Sequence, residues 1–446
     1  MSDRVSKFIF CASVVLIGLV AAFGYGALAH RDNRFPVPQL RLALDFLRGD
    51  TAFIGEDGAA LHLQPARGQG AGVMTGADLA DDKLVFLSGF FDNENQARLV
   101  RRDGSVVQKW SLDYARIFPD AQACDPQTPL FVDVHGTHVT AQGEVIFNFE
   151  YCGTAKIDQC SRPIWTIDDE THHSVIAAEA GGYWILGRET WPTRGNERRF
   201  PPFSEAGIAD LIQEDTLMRV AEDGTVLEQI SIPAMMMAGG LEGVLTGTAQ
   251  SFKPRFARQS TLELVHSNKA AELTRDRADA FPLFSAGDIA ISMRNLNLVM
   301  VFDPVTQEIK WHQTGPWLRQ HDPEFRTDGR ISIFNNNAYY TSYVRDQTDL
   351  SRPRVTNIMA IDPVTRKTEI VYESDMLSVI RGQHELLETG NILITEFDAG
   401  RVLEVDPQGN VVWEYVNAYN EQFVGEIMNS AVFPANFFET DFAGCN

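Results

Sequence analysis

The chain has little positive charge. It carries 38 Lys and Arg residues against 60 Asp and Glu residues, so its formal net charge is −22 over 446 residues. Nucleic-acid binding depends on neutralising phosphates with Lys and Arg, and this deficit argues against a nucleic-acid partner. An anionic substrate would need a local group of basic side chains. The composition is otherwise that of a globular protein, because 44% of the residues are hydrophobic and 10% are aromatic.

The N-terminus carries a long uncharged segment. Arg4 and Lys7 precede residues 8–29, which contain no charged side chain and are long enough to cross a bilayer as a helix. The small residues at 27–29 also fit a signal-peptidase site, so an anchor and a cleaved signal peptide both stay open, and the length favours the anchor. Both interpretations export the rest of the chain. We predict a cytoplasmic N-terminus at 1–7, an anchor at 8–29, a linker at 30–50 and one folded domain at 51–446.

Cysteine is scarce, with five residues in the whole chain. Cys11 lies in the apolar segment, and the remaining four permit two disulfides in an exported protein. Their spacing predicts one bridge between Cys152 and Cys160, which leaves Cys124 and Cys445 for the second. Zinc is disfavoured because no second CxxC-like pair exists. The sequence predicts neither a metal nor a cofactor.

A hairpin pattern recurs through the chain. An apolar strand leads into an aspartate, a turn and a second apolar strand, and Asp-Gly or Asp-Pro turns between such runs are strong hairpin signals. A tryptophan follows four of the six aspartates after seven or eight residues. A further strand pair precedes each later hairpin, so each unit is a four-stranded sheet, and six units predict an all-β six-bladed β-propeller. The aspartates are Asp103, Asp158, Asp223, Asp303, Asp362 and Asp406, and the tryptophans are Trp110, Trp165, Trp311 and Trp413.

Two intervals between these hairpins are longer than the others. The extra residues fall at 187–214 and at about 234–280. Long ordered loops tend to be functional, so we expect both insertions to cover one end of the propeller as lids. The stretches "AMMMAGGLEGVL" and "KAAELTRDRADAF" have a helix-like composition. The methionines at 235–237 are interpreted as packing residues.

Histidines recur at matching places in these repeats. His135, His173 and His321 each stand eight residues before a glycine, and His384 stands six residues before one. Equivalent positions of different blades converge on one end of the central channel, so these imidazoles are expected to meet there. His266 joins them only if the segment that follows it, up to Gly287, is an insertion.

Two of the histidines are adjacent in the sequence. Side chains alternate along a strand, so His173 is predicted to face the channel and His172 to point elsewhere. His172 could instead bind a metal with Asp168 or Asp169, although acidic residues in a tight loop are usually solvated. A single strand histidine is more often structural, and it is the repetition that favours a site.

The stretches "LVHSNKAAE", "GDIAISMRNLNLVMVFDP" and "RQHDPEFRTDGRISIFNNN" resemble the bacterial PAPS-independent arylsulfate sulfotransferases, which are six-bladed propellers exported to the periplasm. The resemblance extends from about residue 130 to 415. It implies that "RQHD" supplies His321 as the nucleophile, that "HSN" supplies His266 and Asn268, and that "SMRN" supplies Arg294. The "HHSV" motif supplies His172 or His173, and Glu263 lies near the acidic position of the family.

The resemblance implies transfer of a sulfuryl group from an aryl sulfate donor to a phenolic acceptor. We hypothesise that His321 forms a sulfohistidine and that His266 and His173 act as acid and base. Arg294 and Asn268 would hold the sulfuryl oxygens, and His384 and His172 would line the substrate site. The expected location is the bacterial inner membrane, with one span and a periplasmic propeller. The alternative is a non-catalytic, membrane-anchored propeller that binds a ligand or a protein partner.

Overall fold

The computed structural model describes residues 3–31, 59–68, 70–76, 78–79, 81–121, 124, 129–193, 195–196, 203, 209–247, 259–338, 355–442 and 444–445. The chain divides into two units, Met1–Ala60 and Leu61–Asn446. Helix α1 (Asp3–Arg31) contains the segment Lys7–Gly26, which is long and apolar enough to cross a membrane. The predicted span is therefore a helix of sufficient length. Most of the predicted linker, 32–50, lies outside the described residues.

The second unit consists almost entirely of strands. The short helices that the structure describes in full are α2 (Tyr114–Ile117), α3 (Ile232–Ala238), α4 (Glu242–Gly247) and α5 (Arg275–Ala278). Its strands are β1 (Leu63–Pro65), β2 (Gly72–Thr75), β3 (Lys83–Phe91), β4 (Glu94–Arg101), β5 (Val106–Ser111), β6 (Val134–Val139), β7 (Val145–Phe149), β8 (Gly153–Ile157), β9 (Pro163–Ile167), β10 (Thr171–Ala177), β11 (Tyr183–Pro192), β12 (Ala209–Val220), β13 (Val226–Ser231), β14 (Gln259–Glu263), β15 (Ser267–Glu272), β16 (Ile289–Met293), β17 (Leu298–Phe302), β18 (Ile309–Thr314), β19 (His321–Phe325), β20 (Ile331–Asn335), β21 (Asn357–Ile361), β22 (Thr368–Glu373), β23 (Gln383–Leu386), β24 (Ile392–Glu396), β25 (Arg401–Val405), β26 (Val411–Val416), β27 (Phe423–Gly425) and β28 (Ile427–Pro434).

Within the described residues these strands form six antiparallel blades, which confirms the predicted six-bladed β-propeller. Blades 2 to 5 are the consecutive sheets β6–β9, β10–β13, β15–β18 and β19–β22, and blade 6 is β23–β26. Blade 1 combines β3–β5 with the C-terminal strand β28, which pairs with β3 through contacts such as Ser430 with Leu87. The C-terminal strand therefore closes the ring. Additional strands extend two blades, because β14 pairs with β12 and β2 pairs with β26.

The six predicted hairpins are the two outer strands of each blade. Each repeated aspartate accepts a hydrogen bond from the backbone N–H two residues ahead, at 2.8 to 3.0 Å. A side chain that bonds its own backbone in this way stabilises a tight turn. Three of the repeated tryptophans link neighbouring blades through their indole N–H. The bonds run from Trp110 to Gly143 O, from Trp165 to Glu222 O and from Trp413 to Arg102 O.

The core lies between the blades. Fully buried large side chains such as Phe86, Trp110 and Phe147 pack between blades 1 and 2, and similar clusters separate the other blades. Met235 and Met236 of α3 are buried in the cluster that joins blades 3 and 4, which confirms that they are packing residues. Because the core is distributed around the ring, the channel along the axis is free to hold polar side chains.

The predicted disulfides were wrong. The bridges join Cys124 to Cys152 and Cys160 to Cys445. Cys152 precedes β8 and Cys160 follows it, so the two cysteines lie at opposite ends of one strand. A strand rises about 3.3 Å per residue, which separates their positions by well over 10 Å. The short distance in sequence was therefore misleading.

The two insertions differ partly from expectation. Residues 187–192 and 209–214 continue the long β11–β12 hairpin, while 197–202, 204–208 and 248–258 lie outside the described residues. The helical prediction is correct for α3, α4 and α5, of which α5 lies within "KAAELTRDRADAF". It is wrong for "KAAE", which forms part of the inner strand β15. Ala270 and Ala271 are buried in this strand, and this tertiary packing overrides their helix propensity. That the insertions act as lids stays a prediction.

Candidate active site

A small cavity of about 40 Å³ lies where the innermost strands of the blades begin. All six blades contribute a residue from the start of their inner strand, so this is one end of the central channel. The contributing residues include His135, His173, Asn268, His321, Gln383 and Met428. The segment after His266 is an insertion, since α5 and its flanking turns separate β15 from β16. His266 therefore belongs to the repeated set.

Irregular backbone brings these side chains to the cavity. The register of the inner strand shifts at its start in five of the six blades, and blade 6 keeps a regular register. His173, His266 and Asp322 occupy the left-handed region with φ of 51°, 55° and 54°. Bulges and left-handed residues of this kind re-aim side chains, often beside active sites. A Cβ added to Gly136 would lie 1.6 Å from the carbonyl oxygen of His173, so this close approach requires glycine.

His321 is held in one tautomer. Its Nδ1 lies 2.7 Å from Asn336 Oδ1 and 3.2 Å from Arg319 O. Both partners are acceptors, because the Asn336 amide nitrogen donates to the carbonyls of Ser378 and Arg381 at 2.8 and 2.7 Å. Nδ1 must therefore carry the proton, and Nε2 keeps its lone pair. That Nε2 is buried and has no partner among the described residues.

The environment also keeps His321 uncharged. Burial lowers its pKa well below 6.5, and the nearby positive charge of Arg294 lowers it further. A neutral imidazole with a free lone pair is the reactive form for attack on an electrophile. Sequence analysis did not single out Asn336, although it lies in the "IFNNN" stretch.

His266, Glu263 and Arg294 form a compact group. His266 Nδ1 lies 2.7 Å from Glu263 Oε1, and Arg294 Nη2 lies 3.2 Å from the same nitrogen. Because a carboxylate only accepts, we assign the proton to Nδ1, which leaves Nε2 buried with no partner in the part of the chain that the structure describes. Burial and Arg294 lower the pKa of His266, while the bond to Glu263 opposes this shift. Burial and the like charge of Arg319 lower the pKa of Arg294 to about 10.

His172 orients the ring of His173 through a hydrogen bond. His172 Nε2 lies 3.1 Å from the Gly187 carbonyl oxygen, to which it donates. Its Nδ1 then accepts from Nδ1 of His173 at 2.9 Å, so Nε2 of His173 carries the lone pair. The His173 ring packs edge-on against His266, with 4.9 Å between ring centroids. Burial lowers the pKa of His172 to about 4, and burial with neighbouring imidazoles lowers the pKa of His173 well below 6.5.

Two charged side chains, Glu150 and Arg381, lie beside His135 and His173. Glu150 lies 3.6 Å from His135 Nδ1 and 3.9 Å from His173 Nδ1, and it accepts from Arg381 at 3.0 Å. The His135 and His173 rings pack 4.1 Å apart. Sequence analysis missed Glu150 and Arg381 as contributors. The regular position of His135 was the signal that could have led to them.

Asn268 lies in the wall of the cavity, whereas His384 is held by neighbouring side chains. Asn268 lines the cavity, and its amide nitrogen donates to Gln320 O at 2.8 Å. Its Oδ1 is buried and has no hydrogen-bond partner among the residues described. His384 lies 2.9 Å from Asp322 through Nδ1 and 2.7 Å from Ser332 Oγ through Nε2. Both of its nitrogens face neighbouring side chains. The structure therefore brings His173, Asn268 and His321 to the wall of the cavity. His266 packs against His173, and Arg294 lies beside His266. The described residues that line the cavity include none of His172, His266, Arg294 and His384.

Two groups of side chains have spacings that could suit a metal ion: His135 with Glu150 and His173, and His62 with Asp133 and Glu426. Arg381 already occupies the Glu150 carboxylate in the first group. In the second group both ring nitrogens of His62 are engaged, by Glu426 and by Leu130 O. These occupied ligand atoms give no support for a metal centre.

The arylsulfotransferase (ASST) family model matches residues 131–418. The match covers more than half of the chain, and the chain therefore belongs to the arylsulfotransferase family. It includes every histidine, the arginine and the asparagine of the group described above. A search of curated proteins found no match.

Several solved structures are similar. A protein of unknown function from Bacteroides caccae shares 12% identity over 75% of this chain and 94% of its own, with a TM-score of 0.44. An inactive virginiamycin B lyase from Staphylococcus aureus with quinupristin shares 10% over 83% and 98%, with a TM-score of 0.40. The Dos1 propeller shares 7% over 82% and 78%, with a TM-score of 0.39. We infer no activity from these likenesses.

Proposed function

We propose that this arylsulfotransferase-family chain transfers a sulfuryl group from an aryl sulfate to a phenolic acceptor without PAPS, through a sulfohistidine on His321. The observation that supports this most directly is the unpartnered, buried Nε2 of His321, whose lone pair is fixed by the two acceptors on Nδ1. Arg294 supplies positive charge beside it. A nucleophile next to a guanidinium suits a tetrahedral oxyanion.

In the first half-reaction, the lone pair of His321 Nε2 attacks sulfur and the bond from sulfur to the aryl oxygen breaks. Sulfuryl transfer resembles phosphoryl transfer, with negative charge spread over three equatorial oxygens and the attacking and leaving atoms in line. The Arg294 guanidinium would neutralise those oxygens, and its buried Nε, which has no partner within the described ranges, supports this role. One N–H of Asn268 already bonds Gln320, so only its second N–H could assist.

Proton transfer falls to the two adjoining histidines. In its protonated form His266 gives a proton to the departing phenolate, and Glu263 at 2.7 Å stabilises that form. In the second half-reaction, His173 accepts the proton of the incoming phenol, whose oxygen attacks sulfur and displaces His321. The two rings are neighbours. A proton passed from His173 to His266 restores the starting state.

The location is also proposed. We infer that residues 8–29 anchor the chain in the bacterial inner membrane with the propeller in the periplasm. The apolar helix and the two disulfides support this, because disulfides persist in oxidising compartments.

The test uses the full chain, purified in detergent, with 4-nitrophenyl sulfate. We expect release of 4-nitrophenol that accelerates when phenol is added, formation of phenyl sulfate, and parallel double-reciprocal plots as for a ping-pong reaction. His321→Ala should abolish release, whereas His312→Ala, at a half-buried histidine of blade 4 outside the cavity, should not. Absence of release, or release unchanged in His321→Ala, would reject the proposal in favour of the non-catalytic propeller.

A further inference from the structure

Arg319 lies beside His321 of the candidate site. It lies two residues before His321, just ahead of β19, with a left-handed φ of 52°. Its backbone N–H donates to Asn297 Oδ1 at 2.6 Å, and its carbonyl oxygen accepts from His321 Nδ1 at 3.2 Å. The inner strands begin at the cavity, so a residue ahead of β19 lies toward the mouth of the channel.

Asn297 connects Arg319 to Arg294. The Asn297 backbone N–H donates to Arg294 O at 3.2 Å, while its side chain accepts from Arg319. The two arginines therefore lie on either side of one residue, and Asn297 is itself held in the left-handed region with φ of 49°. This arrangement places two guanidinium-bearing residues at the same edge of the site.

Neither guanidinium has an ion-pair partner within 4 Å among the residues that the structure describes. The Nε atoms of Arg294 and Arg319 are both buried without a hydrogen bond. By contrast, Arg188 pairs with Asp215 and Glu263. The Glu263 carboxylate offsets part of these two positive charges, but it is already bound by Arg188 and His266. Like charges that lie close together are costly, and a bound anion would remove the remaining cost.

The two arginines are placed differently relative to the histidines, so one sulfuryl group does not explain the presence of both. Arg294 contacts His266, whereas Arg319 makes no hydrogen bond from its guanidinium to any of the histidines of the site among the described residues. The aryl group of a donor attacked in line by His321 must extend away from the imidazole, toward the mouth. Because Arg319 precedes the first residue of β19, we assign it to that side, where it would meet ring substituents and not the reacting sulfur.

We propose that Arg319 binds an anionic substituent on the aromatic ring, so that the preferred substrates are aryl sulfates and phenols that carry a second negative group such as a carboxylate. This inference rests on the proposed function. It explains how a chain with a net charge of −22 can take a dianion, because the two arginines divide the two charges between them.

The experiment compares 4-nitrophenyl sulfate with its ring-carboxylated counterpart, 2-nitro-5-sulfooxybenzoate, as donors for the full chain. A charge-assisted bond is typically worth a factor of about 10 to 100. We expect Arg319→Gln to lower the ratio of kcat/KM for the carboxylated to the uncharged donor by about that factor, and Arg319→Lys to retain part of it. Arg326→Gln, at the opposite end of β19, should keep the wild-type ratio.

An unchanged ratio in Arg319→Gln, or an equal loss for both donors, would overturn the inference. An equal loss would mean that Arg319 serves the sulfuryl group itself. If the wild-type chain releases no phenol from either donor, the proposed function fails on its own. The inference is then tested by calorimetry, as the ratio of Kd values of the two aryl sulfates in wild type and Arg319→Gln, with the same expected and contradicting results.

Discussion

Replacing Asn336 tests whether the tautomer of His321 is fixed from outside the cavity. Asn336→Leu keeps the approximate volume of the side chain but removes the acceptor at 2.7 Å from His321 Nδ1. The remaining acceptor, Arg319 O, is longer at 3.2 Å. The imidazole can then rotate or move its proton to Nε2, which blocks the lone pair that attacks sulfur.

The structure gives the size of two separate effects. Asn336 makes three hydrogen bonds, to His321, Ser378 and Arg381, and each buried bond is worth about 1 kcal/mol, so the free energy of unfolding should fall by about 3 kcal/mol. Partners that orient a reactive histidine are worth about 10-fold to 100-fold or more in rate. We therefore expect kcat per folded molecule to fall by about 10-fold to 100-fold.

Asn335→Leu is the matched control. Asn335 is also buried and makes three hydrogen bonds, with Leu318 N, Asn337 N and Asn357 Oδ1, and a weaker fourth with Met359 Sδ. It hydrogen-bonds none of the histidines that the structure describes. It should lose comparable stability in a denaturant titration while keeping kcat for 4-nitrophenol release. Equal kcat values for the two variants, after correction for the folded fraction, would refute the assignment of Asn336 as the residue that orients His321.

Three further predictions concern the frame of the site. Gly136→Ala should displace the backbone of His173 and lower kcat, measured as phenol release, by about tenfold or more. A variant with the wild-type kcat would show that the backbone can move to accept the Cβ without disturbing the site. Burial disfavours the charged form of His62, but its acidic partners favour that form more strongly and raise the pKa of His62 to about 9. Protonated His62 therefore adds about 3 kcal/mol to the free energy of unfolding. This contribution is complete below pH 6.5 and is lost as pH rises through 9. The fall in thermal midpoint over this range should vanish in His62→Gln, and its persistence would contradict the assignment. Peptide mapping without reduction should recover Cys160 linked to Cys445, and Cys445→Ser should cost about 2 to 4 kcal/mol of stability; recovery of any other partner for Cys160 would contradict the observed pairing.

The propeller was predictable because its signals are local. An aspartate that bonds the backbone two residues ahead defines a turn within a few residues, so Asp103 and Asp406 are recognisable without knowledge of their neighbours. Repetition of that turn then gives the number of blades. The meeting of His173, His266 and His321 at one end of the channel follows from the same repetition.

The parts that could not be predicted depend on tertiary contacts. The alternation of side chains along a strand gave no warning of the bulges that aim His173 and His266, or of the regular register that turns His384 toward Ser332. Asn336 and Arg381 reach the site from other positions in blades 5 and 6. The disulfides failed for a related reason, because a straight strand separates residues that are close in sequence.

Mass spectrometry of the intermediate tests the central claim most directly. The full chain is mixed with 4-nitrophenyl sulfate in the absence of an acceptor, quenched at alkaline pH and digested. We expect a sulfuryl adduct on the peptide that contains His321, absent from His321→Ala and discharged when phenol is added before the quench. Turnover of the donor with no adduct on this peptide, or an adduct on another residue that persists in His321→Ala, would contradict the account.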